Sequence, residues 1–339
     1  MPSLFKYSSK NLWLFGFVFF MGCSPKNEDT RIQTTGNPAI DQLSIAIGQN
    51  PEDGSLYAAR GEQFYLNESY DEALTDLEQA VSLAPDVITY RHLLADIYLD
   101  YYKSRQALET MEACVEKFPK DRLSRLKLAE FQLILKMHES SIATLDQLEI
   151  IDPQLADVFF MRGLNLKELG QTDEAITNFQ KAVQLDASLV DAWINLGQLF
   201  TLKEDPIARK YFDTAIEIAP GSMEPMHAKA FYLQEINELQ ASVDLFQEMG
   251  QLNPQYDDAF YNAGLILLDL DSLQEAYNQF DIAVQTRPME AKYYYFRGVA
   301  SELMGQLGKA SKDYEQCLIF DSEFASATEG LERLKEIIQ

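Results

Sequence analysis

Cysteine and histidine are scarce in this 339-residue chain, with three of each. That scarcity removes several chemistries at once. No HExxH, no CxxC and no pair of histidines at helical spacing occurs, so no metal is expected. Neither a glycine-rich phosphate loop nor a GxSxG elbow is present, and no cofactor is expected. Basic residues are also few. The 28 Lys and Arg against 53 Asp and Glu leave a net charge of −25, which repels phosphate backbones and anionic headgroups. Nucleic acid is therefore not an expected partner. Either the charge keeps a surface-rich chain soluble or it meets a basic partner. What the chain has in quantity is apolar residues, 47% against 24% charged, the composition of a packed fold. Its length exceeds one ordinary domain, so either two globular cores or one elongated stack must hold that apolar content.

At the N-terminus, Lys6 and Lys10 precede an apolar run from Leu12 to Met21, followed by Gly22 and Cys23. This is the layout of a signal peptide over residues 1–22. About ten apolar residues fall short of the roughly 20 of a helical membrane span, which makes a retained anchor the weaker alternative. The Phe20-Met21-Gly22-Cys23 junction resembles a bacterial lipobox in its Gly and Cys, with bulkier residues before them. That partial resemblance implies lipidation of Cys23 and residence in the bacterial envelope as an outer-membrane lipoprotein. Residues 23–37 then form a solvated tether. Within it, Ser24-Pro25-Lys26-Asn27-Glu28-Asp29 resembles the export tag of some surface lipoproteins of the Bacteroidota, and the periplasmic and surface leaflets both stay open.

Prolines disclose an internal period. Pro51, Pro85, Pro119 and Pro153 are 34 residues apart, as are Pro220, Pro254 and Pro288. Counting each unit from the residue after its turn, the eighth place is always small: Gly61, Ala95, Ala129, Gly163, Gly197, Ala230, Gly264 and Gly298. Two helices can approach closely there. Ala73, Ala107, Ser141, Ala175, Ala208, Ser242, Ala276 and Ala310 follow, the fifth of them one residue early. The missing residue lies near Lys203-Glu204-Asp205-Pro206, where Pro206 suits a first helical turn. Leu77, Met111, Leu145, Phe179, Phe212, Phe246, Phe280 and Tyr314 come four places later. Three further on stand Ala80, Cys114, Leu148, Ala182, Ala215, Met249, Ala283 and Cys317, so both sets share one helical face. Cys114 and Cys317 occupy the same buried place six units apart, beyond the roughly 7 Å of a disulfide.

This pattern resembles the tetratricopeptide repeat. The unit of Trp193, Leu196, Gly197, Phe200, Ala208, Phe212, Ala215 and Pro220 carries the likeness most fully, while Arg91 and Arg125 stand where the family uses a large apolar residue. The resemblance implies an all-α, right-handed superhelical solenoid of about eight helix-turn-helix units over residues 54–322. A half-repeat helix at 38–53, marked by Ala39, Leu43, Ala46 and Pro51, closes one end. A capping helix at 323–339, with Leu331, Leu334, Ile337 and Ile338 on its apolar stripe, closes the other.

In this family the second, fifth, sixth, ninth and twelfth places of the first helix commonly line a concave groove. The fifth and ninth places hold Phe160 and Leu164, Ile194 and Gln198, His227 and Phe231, Tyr261 and Leu265, and Tyr295 and Val299. Such an apolar strip either packs inside the superhelix or marks a partner site. The second places hold Asp157, Asp191, Glu224 and Asp258, which also suit the positive end of a helix without any ligand. Of the residues with which some members clamp a partner's terminal carboxylate, only Asn262 and Lys292 fall on matching places. The expectation is a lipid-anchored scaffold binding protein segments with apolar and basic side chains, in envelope assembly or secretion. A structural or self-associating spacer is the first rival, and an enzyme with a site hidden in the groove the second.

Overall fold

The computed structural model of this chain describes residues 35–338. Cys23, and with it the expected signal peptide and lipidation site, lies outside the described residues. The chain divides into two compact units, Met1–Asp86 and Val87–Gln339. Among the described residues every regular element is an α-helix.

The first unit contains α1 (Pro38–Gln49), α2 (Gly54–Leu66) and α3 (Tyr70–Leu83). Asn37 caps α1 by accepting from the Ala39 amide at 2.9 Å, and Pro38 follows at the helix start, where a missing N–H costs nothing. Ile40 and Ile47 of α1 are buried, as are Ala73, Leu77 and Ala80 of α3. Arg60 of α2 ties the three helices together, with Nε 2.7 Å from Asp76 and Nη1 3.0 Å from Ser44.

The second unit runs through α4 (Ile88–Asp100), α5 (Ser104–Lys117), α6 (Arg122–Ile134), α7 (His138–Ile151), α8 (Ala156–Glu168), α9 (Thr172–Leu185) and α10 (Val190–Leu202). It continues with α11 (Ala208–Ile218), α12 (Met223–Glu235), α13 (Leu239–Leu252), α14 (Asp257–Asp269), α15 (Leu273–Thr286), α16 (Ala291–Leu303), α17 (Leu307–Phe320) and α18 (Ala325–Ile338). Each helix packs on its neighbours in sequence. The even-numbered helices also touch one another directly, α4 on α6, α6 on α8, α10 on α12 and α14 on α16, which puts them on the inner side of this unit.

The core is the repeated encounter that the spacing foretold. Phe179, Phe212, Phe246, Phe280 and Tyr314 each lie at most 1% exposed. At the small places the fit leaves no spare room: a β-carbon on Gly264 would sit 2.6 Å from a ring carbon of Phe280. The chain between paired helices turns through a left-handed residue, and the same place in successive units holds Tyr102, Lys136, Gly170, Glu204, Asn237, Asp271 and Gly305.

Three features differ from the sequence expectation. Pro206 lies in the turn ahead of α11, which begins at Ala208 and has 11 residues where its counterparts have 14. The deleted residue thus shortens the helix instead of the loop. Ile337, expected on the apolar stripe of α18, is 57% exposed, while Leu334 is 1% exposed. Arg125 fits its place because of what that place needs. Its guanidinium donates to the Pro119 carbonyl at 2.9 Å, as Trp193 Nε1 does to Ala187 and the Tyr294 hydroxyl does to Pro288. Where the side chain at this place carries a donor it reaches back to a turn carbonyl, and arginine fills that role as an aromatic donor does, whereas Phe159, Met226 and Phe260 at the same place have no group to donate.

Candidate protein-binding face

The inner face of the second unit is built from the even-numbered helices, and three of their seventh places hold a cation that is already paired. Arg162 bridges Asp146 and Glu149, Lys229 pairs with Asp213, and Arg297 with Asp281 and Asp313. The acidic second places of α8, α10, α12 and α14 have no such partner, and the second place of α16 holds Lys292. Among the described residues Asp157, Asp191, Glu224 and Asp258 make no ion pair. Burial raises the Asp157 carboxyl above its usual range, with Asp186 adding to the effect. The Asp191 carboxyl is open to solvent on one side, yet the surface packed around it still raises it. Glu224 is raised by burial and then by Asp191. A basic group arriving here would meet carboxylates whose charge the protein leaves uncompensated.

The fifth and ninth places divide into two groups. Phe160 and Ile194 are 4% and 6% exposed, so they back the face instead of lining it. Phe160 packs against the Phe179 ring at 5.8 Å, and Ile194 joins Phe212, Tyr232 and Leu233. Further along, the side chains reach the surface. Phe231 is 44% exposed and meets the His227 imidazole edge to face at 4.7 Å. His227 also contacts Phe246 and Tyr256, and its Nε2 is buried with no hydrogen-bond partner among the described residues. Burial lowers the imidazole below the usual histidine range, against the opposing pull of Asp258.

Tyr261 is half-buried among Phe280, Tyr293 and Phe296, and Lys292 Nζ stands 4.8 Å from the centre of its ring. An ammonium over an aromatic face is a cation–π contact. The same face thus already accommodates a cation. Asn262 Nδ2 donates to the Asp258 carbonyl of its own helix at 2.8 Å, so it and Lys292 are engaged locally and do not form a carboxylate clamp. Leu164 and Leu265 are half-buried, the latter against the cluster around Phe280. Tyr295 and Val299 lean on the end of the unit, where the Tyr295 ring lies 5.0 Å from Phe324.

One residue of this face escaped the sequence reading. Lys167, at the twelfth place of α8, reaches Asn195 Oδ1 at 2.7 Å and Gln198 Oε1 at 2.8 Å on α10. The available signal was a lone lysine at a place that holds Leu99, Leu133, Thr201, Gln234, Leu268 and Glu302 in the other units of the second body.

Comparison with known proteins bears on the repeats. A TPR repeat model matches residues 163–203 and a tetratricopeptide repeat model matches 291–322. The human protein O-mannosyl-transferase TMTC1 is 26% identical over 167 residues, covering 48% of this chain and 19% of the relative. The Hsp70-Hsp90 organizing protein 1 of Glycine max is 23% identical over 47% of this chain and 28% of its own length. The chain therefore spans less than a third of these relatives. Among solved structures, the C-terminal part of a TPR repeat-containing protein from Cytophaga hutchinsonii aligns with a TM-score of 0.57 at 17% identity, over 70% of this chain and 98% of that one. Tetratricopeptide repeats are thus detected in two segments of the chain, and its all-α fold is that of a TPR solenoid.

Proposed function

We propose that this chain is a scaffold that holds an extended protein segment along the even-numbered helices of its second unit, and that it does so in the bacterial cell envelope. The observation that carries the binding reading is the unpaired acid row of Asp191, Glu224 and Asp258 beside the exposed Phe231 ring and the half-buried His227. Apolar side chains of a partner would cover Phe231 and Leu265, and its lysines or arginines would meet the carboxylates. Fold alone does not choose the partner. The relatives support a binding role in general terms, and the basic and apolar preference rests on the residues of this face.

Envelope residence rests on the N-terminal sequence. Lys6, Lys10, the Leu12 to Met21 run and the Gly22-Cys23 junction support export with a lipid on Cys23, anchoring the scaffold to the outer membrane. Cys23→Ala should leave an unprocessed, unlabelled precursor in cells fed a lipid label.

The binding test uses Phe231→Ala and the double change Asp191→Asn with Asp258→Asn. Tyr261 and Tyr295 are poorer choices, because both also brace the core. Crosslinking in the native cell should capture a defined partner with the parent chain and lose it with Phe231→Ala at unchanged melting temperature. The charge variant should weaken capture mainly at low salt. Undiminished capture by both variants would favour a spacer whose inner face takes no segment.

A further inference from the structure

Lys167 sits ten residues along a helix from the second-place acid Asp157, about 15 Å at the helical rise, and so marks the opposite rim of the inner face. Its ammonium has three N–H donors. Two are directed at Asn195 Oδ1 and Gln198 Oε1, at 2.7 and 2.8 Å. Both acceptors are neutral amides. Among the described residues no carboxylate pairs with Lys167, whereas Arg162 of the same helix and Lys127, Lys229 and Arg297 of other even-numbered helices each have at least one. Burial holds the ammonium below the usual lysine range, opposed by Glu168. Lys292 on α16 also lacks a carboxylate but stands over the Tyr261 ring, so what distinguishes Lys167 is an ammonium oriented by two neutral amide oxygens and partly desolvated.

We infer that Lys167 is an anion-recognition point, taking a carboxylate of the bound segment at the level of α8 and α10. Asn195 and Gln198 hold the ammonium in place without neutralising it, and the third N–H is left for the ligand. The carboxylate is an Asp or Glu side chain or a free chain terminus. Because the acids Glu224 and Asp258 and the Phe231 ring lie further along, on α12 and α14, a segment with one acidic group and a basic, apolar stretch satisfies both only when it runs in one direction. Lys167 therefore sets the polarity of binding. This inference rests on the binding reading above.

The test is an immobilised library of ten-residue peptides, each made as free acid and as carboxamide, probed with the full-length protein and with Lys167→Gln, Lys167→Glu, Lys167→Arg and Phe231→Ala. The parent should select peptides carrying an acid, or requiring the free terminus, at a fixed spacing from an apolar and basic stretch. The two syntheses separate those sources. Lys167→Gln should bind the selected peptides about tenfold more weakly, the size of one charge-assisted hydrogen bond. Lys167→Glu should exchange the acid for Lys or Arg at that place, and Lys167→Arg should keep it. If all Lys167 variants select the same peptides while Phe231→Ala loses them, the assignment of Lys167 is overturned and the groove stands. If the parent selects none, both fall. Loss of the acid preference in Lys167→Arg as well as Lys167→Gln, at unchanged melting temperature, would also overturn it.

Discussion

A β-carbon placed on Gly197 would lie 2.7 Å from Cε1 and Cζ of Phe212, and Phe212 is itself 1% exposed. An enclosed ring has nowhere to swing. Overpacking of this kind costs about 1–3 kcal/mol, against a helix-propensity gain of at most about 1 kcal/mol for replacing glycine by alanine. Gly197→Ala should therefore lower stability by about 1 kcal/mol, read as an earlier denaturant midpoint. Gly308→Ala on α17, where nothing lies within 4 Å, should be neutral or stabilising by up to about 0.5 kcal/mol. Equal effects at the two sites would mean that the small eighth place is not a close-packing requirement.

That contrast also explains what the sequence makes legible. A close approach repeated once per unit forces a small residue at one place and a large one at another, so the period and the core follow from spacing alone. Exposure along the inner face does not repeat in this way. Ile194 and His227 occupy the same place in successive units, yet the isoleucine is buried with Phe212 and Tyr232 while the imidazole is only half-buried beside Phe231. Which one reaches solvent depends on the rings contributed by the next unit, and a place number carries no such information. Lys167 is a stronger case, since its partners are 28 and 31 residues away. Arg125 was legible only as a departure, because the turn carbonyl that it serves has no mark in the sequence.

Tyr102 adopts φ 59°, in the left-handed region, with its side chain 93% exposed. A side chain in that region costs about 1–2 kcal/mol, and so exposed a ring has few contacts to lose. Tyr102→Gly should stabilise the turn by about 0.5–1 kcal/mol after the extra chain entropy of glycine is counted. Gly170→Ala, at φ +73° in the equivalent turn, should cost about 1 kcal/mol. Thermal melting of both variants checks the pair. A destabilised Tyr102→Gly would reveal that the ring makes a contact important enough to outweigh the strain.

His92 should make the second unit sensitive to mild acid. Its Nε2 lies 2.8 Å from Ser124 Oγ, which donates its own proton to Asp121 at 2.6 Å, so the imidazole is the donor in that contact. Burial, with Lys127 adding and Asp121 opposing, lowers the imidazole from 6.5 to about 4. Between those two values the unfolded chain binds a proton here that the folded chain does not. The stabilising contribution is thus complete above 6.5 and is lost progressively as the pH falls toward about 4. Amide protection in α4 and α6 should decline over that window in the parent and decline less in His92→Leu. Matching declines would remove His92 as the cause.

The end of the second unit offers a chemical readout of capping. Tyr314 is enclosed by α18, with its ring 2.7 Å from where a β-carbon on Gly330 would stand, and its hydroxyl donates to Glu302 at 2.6 Å. Arg333 of α18 bonds the same carboxylate at 2.7 Å, so the helix is held by packing and by charge. Behind them lies Cys317, fully buried, its thiol pushed up to about 11 by burial with Asp321 adding to the effect. A thiol raised that far and shielded from solvent reacts slowly, because the thiolate is the nucleophile. Removing residues 324–339 takes away the cover, and terminal units of a stacked array fray first because each contacts mainly its neighbours. Cys317 should then be alkylated much faster, site by site in peptide mapping, while Cys114, buried between α5 and α6, keeps its protection. Arg333→Ala, which loosens α18 without deleting it, should give an intermediate rate at Cys317. Acceleration at both cysteines would instead mean that the unit opens as one cooperative body, and no acceleration at either would mean that α17 holds its place without α18.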